Sequence, residues 1–64
     1  MLIEATPKII DFLDYYCDRT VSTGCDYYHL QIGGISCDYT LHVDQEPWQV
    51  EGTEEDLAIL HQQS

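Results

Sequence analysis

The sequence CDYYHLQIGGISCDYTLH, residues 25–42, decides the fold. Two runs of alternating apolar and polar residues flank Gly33-Gly34, a dipeptide typical of a two-residue hairpin turn. With that turn, apolar residues collect on one face and most polar residues on the other. A slip of one residue would mix the faces, so the pattern predicts one register. The predicted pairs include Ile32 with Ile35, Leu30 with Cys37 and Tyr28 with Tyr39 on the apolar face, and His29 with Asp38, Tyr27 with Thr40 and Cys25 with His42 on the polar face.

Two helices are predicted on either side of this hairpin. Thr6-Pro7 is a helix start, because threonine can cap and proline suits the first helical position. The following residues, 8–20, have helical period, and TVSTG, residues 20–24, ends the helix. A second helix begins after Thr53, whose spacing to Asp56 resembles a capping box, and residues 61–64 fray. The predicted apolar face of the first helix is formed by Ile9, Phe12, Leu13, Tyr16 and Cys17.

The sequence predicts an α+β fold in one compact domain, residues 1–64, with the order α-β-β-β-α. The third strand is WQVE, residues 48–51, which alternates between Pro47 and Gly52. We expect a three-stranded antiparallel sheet, with helix 1 packed on its apolar face. Leu2 and Ile3 are candidates for a further short edge strand, and Trp48 is expected to complete the core.

The charge restricts the class of partner. Twelve acidic residues oppose two basic ones, Lys8 and Arg19, for a formal net charge of −10. Small soluble domains usually carry a net charge of about 2 to 8 in magnitude. Nucleic acid and anionic membranes are disfavoured as direct partners because this surface repels them, whereas basic protein surfaces are favoured. A surface that only confers solubility is the alternative.

An enzyme is not expected in a chain of 64 residues, which has little room for a deep substrate pocket. Residues 1–4 are too short and too acidic for a signal peptide, and no run approaches transmembrane length. Three cysteines, an odd number, then indicate a reducing cytoplasm.

Each cysteine, Cys17, Cys25 and Cys37, is followed at once by an aspartate. Their spacings of eight and twelve positions contain no Cys-x-x-Cys pair, so we expect no metal site, no redox motif and no cofactor. Cys17 and Cys37 are predicted to pack in the core. Cys25 faces His42, but a solvent-facing strand pair lacks an evident oxyanion hole, so no catalytic role is expected.

Acidic and aromatic side chains are the candidates for partner contacts. Asp11, Asp14 and Asp18 fall at i, i+3 and i+7 of the predicted first helix and form an acidic stripe. Asp18 would lie in its last turn, where the helix dipole prefers a cation, and Arg19 is expected to offset part of that cost. Tyrosines left exposed among acids make good interface anchors. The candidate partner-binding residues are Asp11, Asp14, Asp18, Tyr15, Tyr27, Asp38, Asp44, Glu46 and Glu51.

The acidic stripe, the hairpin tip IGGI (residues 32–35) and the ending EGTEEDLAIL (residues 51–60) together resemble the small acidic anti-defence proteins of phages and mobile elements. That class includes anti-CRISPR proteins and DNA mimics, and the resemblance lies in size, charge and layout. It implies a protein inhibitor that binds a basic groove of a nucleic-acid-handling complex, such as a CRISPR effector. The inhibitor would act by mimicry or steric block, in the bacterial cytoplasm, as a monomer or homodimer.

Two other functions remain open at this point. The chain is alternatively a small intracellular adaptor or antitoxin-like module that binds a basic protein partner outside host defence. It is otherwise a small acidic subunit of a larger complex, which would leave a large apolar face exposed on the isolated chain.

Overall fold

The computed structural model describes residues 1–62, which form one five-stranded antiparallel sheet and two helices. The strands lie in the order β1-β5-β4-β3-β2. The α+β class is therefore confirmed. No helix in the described part of the chain is long and apolar enough to cross a membrane. The elements are β1 (Leu2–Glu4), α1 (Pro7–Tyr16), β2 (Asp18–Ser22), β3 (Cys25–Ile32), β4 (Ile35–His42), β5 (Gln49–Glu51) and α2 (Glu54–His61).

The central hairpin, β3 and β4, has the predicted register along its whole length. Gly33 and Gly34 have φ of +56° and +80°, the left-handed region that the favoured two-residue turn requires at both positions. Ile32 and Ile35 at the tip remain exposed, while the pairs further along the apolar face are buried.

Both helices pack on the same side of the sheet, which is named the inner face. The core between them excludes water from aliphatic side chains of both helices and from the alternate residues of β3, β4 and β5. The opposite side, the outer face, carries the polar residues of the alternation. The core residues are Ala5, Ile9, Leu13, Tyr28, Leu30, Cys37, Tyr39, Leu41, Val50, Leu57 and Leu60.

The predicted three-stranded sheet and the order α-β-β-β-α are wrong, because two further strands flank the predicted three. At one edge, Leu2 and Ile3 do form an edge strand, β1, which pairs with β5. At the other edge, β2 is built from residues expected in the last turn of helix 1. The helix ends at Tyr16, and Cys17 is already extended, with φ −105° and ψ 149°. Pairing with the open side of β3 satisfies the β3-facing backbone groups of β2 and outweighs the local helical period.

The predicted helix starts are confirmed. Thr6 Oγ1 accepts a hydrogen bond from the amide of Ile9 at 3.4 Å, and Thr53 Oγ1 accepts one from the amide of Asp56 at 3.2 Å. Helix α2 ends at His61. The predicted fraying lies partly outside the described residues.

Two aromatic residues expected in the core lie at the surface instead. Trp48 precedes β5 rather than belonging to it, and it is 41% exposed. Tyr16 is the last residue of α1 and lies beside Tyr15 and Phe12, with ring centroids 4.6 and 4.9 Å away. Tyr15 and Tyr16 are exposed, whereas Phe12 is partly buried against the core, so the three rings form a partly exposed aromatic cluster at the end of α1.

Replacing Leu13 by alanine is expected to destabilise the fold strongly. The Leu13 side chain is fully buried, so Leu13→Ala leaves a cavity at a cost of about 2 to 5 kcal/mol. The matched control is Leu2→Ala, which removes the same atoms from a half-exposed site and should cost less than about 1 kcal/mol. Urea denaturation followed by circular dichroism measures both. Equal losses in the two variants would contradict the packing of α1 on the sheet.

Candidate functional site

The outer face forms a shallow depression of about 800 Å³ that is open to solvent. Side chains of β2, β3, β4 and β5 line it, because alternate residues of each strand point away from the helices. The start of α2, at Thr53 and Asp56, closes one end. Most of the side chains that line it carry a polar group, and the principal ones are Asp18, Thr20, Tyr27, His29, Asp38, Thr40 and Glu51.

A row of ionisable side chains crosses β2, β3 and β4 on this face. Asp18 of β2 lies opposite His29 of β3, which lies opposite Asp38 of β4. His29 Nδ1 is 2.8 Å from Asp38 Oδ1, as the hairpin register predicted. Adjacent strands are about 4.8 Å apart, so the backbones of Asp18 and Asp38 lie about 10 Å from each other, with His29 between them. The row therefore presents two carboxylates and one imidazole to solvent.

A second pair lies next to this row. His42 Nε2 is 2.9 Å from Glu51 Oε1, which joins β4 to β5 on the outer face. Cys25 lies opposite His42 as predicted, but its thiol donates to the carbonyl of Thr23 at 4.0 Å. The sulfur thus lacks the hydrogen bond to a base that would activate it as a nucleophile. Within residues 1–62, no group of three or more His, Cys, Asp or Glu is arranged to hold a metal ion.

Both basic side chains of the chain lie away from the outer face. Arg19 points to the inner side of β2, where its guanidinium donates to Asp26 Oδ2 at 2.9 Å. That hydrogen bond raises the pKa of Arg19 above its ordinary value, and the charge of Asp14 adds to the shift. Lys8 lies on α1. In residues 1–62, the outer-face carboxylates therefore have no Lys or Arg side chain among them.

Asp26, the second residue of β3, lies on the inner face and is only 6% exposed. Arg19, expected to offset a helix dipole, compensates the buried charge of Asp26 instead. The one arginine of the chain therefore forms an ion pair within the fold.

The structure brings four of the predicted partner-binding residues to one surface. Asp18, Tyr27, Asp38 and Glu51 all line the outer depression. Asp18 reaches it only because it belongs to β2, so the predicted helical stripe of Asp11, Asp14 and Asp18 is wrong.

The other predicted residues lie elsewhere. Asp11 and Tyr15 line a separate depression of about 400 Å³ on α1, beside Lys8. Asp14 accepts a hydrogen bond from the Tyr28 hydroxyl at 3.0 Å, which gives it a structural role. Asp44 and Glu46 lie in the connection between β4 and β5.

Sequence reasoning missed two contributors to the outer face. Thr20 was assigned to a helix, although its β-branched neighbour Val21 favours a strand. Asp56 was seen only as part of a helix cap. Its carboxylate also accepts from the amide of Asp38 at 3.3 Å, and its carbonyl accepts from the Tyr39 hydroxyl at 2.6 Å. No local signal indicates these contacts, because they join residues far apart in the chain.

Buried ionisable groups beneath the outer face are held neutral. Burial, and then the hydrogen bond to Asp14, raise the pKa of Tyr28 to about 12. Burial likewise raises the pKa of Cys17 to about 11, and it also raises the pKa of Cys37. Near neutral pH these groups stay protonated, so they serve packing rather than chemistry.

Comparison with family models, curated proteins and solved structures finds no match to this chain. Its function is therefore inferred from geometry and charge. The outer face combines solvent-facing carboxylates, a partly exposed tyrosine and an open, shallow shape. These properties suit contact with another macromolecule better than enclosure of a small ligand.

The raised pKa of Tyr28 predicts a loss of stability in alkali. Free tyrosine titrates near pH 10, and in the folded chain Tyr28 titrates near 12. Because the pKa of Tyr28 is higher in the folded chain than in the unfolded chain, protonated Tyr28 contributes its full stabilisation below about pH 10. That stabilisation is lost as the pH rises through 12. At neutral pH the free energy of unfolding of Tyr28→Phe should be about 1 to 2 kcal/mol lower than that of the wild type. It should then fall less steeply as the pH rises.

Urea unfolding at a series of pH values from neutral to strongly alkaline measures this slope. Tyr15→Phe is the control, since Tyr15 is 80% exposed and should leave the curve unchanged. Burial also raises the pKa of Tyr39, so some slope should persist in both variants. An identical slope in wild type and Tyr28→Phe would contradict the assignment.

Proposed function

We propose that this chain is an acidic protein inhibitor that binds a basic surface of a bacterial nucleic-acid-handling complex through its outer face. The observation that carries the proposal is the separation of charge. Asp18, Asp38 and Glu51 line the open depression, while the lysine and the arginine lie on other surfaces. A face of one sign steers a partner of the opposite sign and repels nucleic acid itself.

Basic grooves of sufficient size are characteristic of proteins that hold phosphates, which supports a nucleic-acid-handling target. A carboxylate face can occupy such a groove without offering bases or a scissile phosphodiester. Defence complexes such as CRISPR effectors are targets of this kind, and the layout of the chain resembles the anti-defence proteins that block them. We place the action in the cytoplasm of the bacterial host, as a monomer or homodimer.

Tyr27 is proposed as the central anchor of the interface. It lies between Thr20 and Thr40 on the outer face, and it is partly exposed there. Its strand, β3, lies between β2 and β4, which place Asp18 and Asp38 on either side of it. Aromatic residues near the centre of an interface contribute much of the binding energy, while surrounding charges set orientation and association rate.

Neutralising the outer face should weaken binding to the target. The target is first captured from a bacterial lysate and identified by mass spectrometry. For the variant Asp18→Asn/Asp38→Asn/Glu51→Gln, calorimetry should then give a dissociation constant raised by about tenfold or more. Stability should change by no more than about 1 kcal/mol, because exposed ion pairs contribute little.

The matched control is Asp11→Asn/Asp44→Asn/Glu46→Gln, which removes the same charge from other surfaces. It should weaken binding by less than about threefold, through long-range steering alone. A larger loss in the control would move the interface to α1 or to the β4–β5 connection.

The wild-type affinity should fall as salt rises, and binding should compete with DNA or RNA for the target groove. A salt-independent affinity that survives the outer-face variant would overturn the proposal. A captured partner that handles no nucleic acid would favour the adaptor or antitoxin-like alternative instead.

A further inference from the structure

The sheet ends at β2, whose far edge pairs with no other strand within residues 1–62. All five residues of β2 are exposed, and its register with β3 runs without interruption from Asp18 to Ser22. An edge of this kind presents a row of backbone donors and acceptors that can pair with another chain. It also borders the outer depression, since Asp18 and Thr20 belong to both.

Two other edge segments in the described chain are short or covered. Strand β1 has only three residues. Where β4 extends beyond β5, the Asp56 carboxylate accepts from the Asp38 amide at 3.3 Å. A side-chain carbon at Gly52 would come within 3.4 Å of the Asp38 carbonyl, so that segment is covered closely. Short strands and such coverage are the usual devices against unwanted pairing. Strand β2 is longer than β1, and no such coverage lies over its free edge in the described residues.

We propose that an extended basic segment of the protein partner adds to the free edge of β2 as a further strand. This inference rests on the proposed function and specifies how the partner is held. Backbone hydrogen bonds would supply affinity, and side chains that alternate between the two faces would supply specificity. The partner side chains on the outer side would lie beside Asp18 and Thr20, at the border of the acidic face.

The side chains on the two sides of β2 determine which residue types suit the partner segment. On the outer side, Asp18 favours a lysine or arginine beside it, and the carboxylates of the adjoining depression favour cations at the alternate positions. On the inner side, Val21 is 66% exposed and favours apolar residues between them. Arg19 also lies on that side, but Asp26 at 2.9 Å offsets its charge, and Asp14 also stabilises it. The partner segment is therefore expected to alternate basic and apolar residues.

Charge selects this occupant over a second copy of the chain. Two copies joined along β2 would bring two net charges of −10 together. Like charges in close apposition oppose association, whereas a cationic strand is attracted.

A peptide of alternating lysine and valine, with blocked ends, is the first probe. The control peptide has the same composition, with all its lysines in one block, so it cannot place them on one side of a strand. Amide hydrogen exchange of the folded protein is followed by NMR. The alternating peptide should slow the exchange of the edge-facing amides of β2 by about tenfold, and the block peptide should not.

A proline variant tests the same edge with the natural partner. Amides of successive strand residues point to opposite sides, so one of Thr20 and Val21 donates towards β3 and exchanges slowly. Proline at the faster-exchanging of these two positions, Thr20→Pro or Val21→Pro, blocks the free edge and leaves the ladder to β3 intact. Partner affinity should fall about tenfold or more with little change in unfolding.

Three results would overturn the inference: equal protection by both peptides, no protection by either, or protection that grows with protein concentration in the absence of peptide. The last would identify a second copy as the occupant. If the proline variant binds the partner normally while neutralisation of Asp18, Asp38 and Glu51 weakens binding, strand addition fails and the proposed function stands. If neither change weakens binding, the proposed function fails as well.

Discussion

The register of the β3–β4 hairpin is the constraint on which the rest of the structure depends. Gly33 and Gly34 set it, because both occupy the left-handed region that a two-residue turn requires. Side chains of a strand alternate, so this one register assigns every hairpin residue to the inner or the outer face. Neighbouring strands then continue the assignment: Val50 lies beside Leu41 in the core, and Arg19 lies beside Tyr28.

The same constraint explains the distribution of charge. Arg19 enters the inner side with Tyr28 and compensates the buried Asp26. A buried carboxylate without a partner would cost several kcal/mol, so this pairing uses the one arginine to hold β2 against β3. The carboxylates on the outer face are left without an arginine or lysine. The ion pair on the inner side of the sheet thus keeps the arginine away from the acidic surface that the proposed function uses.

Local signals predicted much of the fold because they depend on neighbouring residues. The turn dipeptide and the threonine caps at Thr6 and Thr53 are of this kind and are confirmed. The short alternation before Gly52 also forms a strand, β5, although without the predicted Trp48. The end of α1 was missed, since the helical pattern continues past Tyr16 and nothing nearby contradicts it. Strand β2 forms through pairing with β3, and such pairing depends on a partner that local propensity does not see.

By itself, the sequence determined the net charge, the hairpin with its two faces and the starts of both helices, because composition, turns and caps are properties of short segments. Only the tertiary structure decided which acidic residues gather. It moved Asp18 from a predicted helix to the outer face and engaged Asp14 with the Tyr28 hydroxyl. It also placed Asp38 and Glu51 in one depression. These outcomes depend on strand order and helix ends, which are set by contacts between residues distant along the chain.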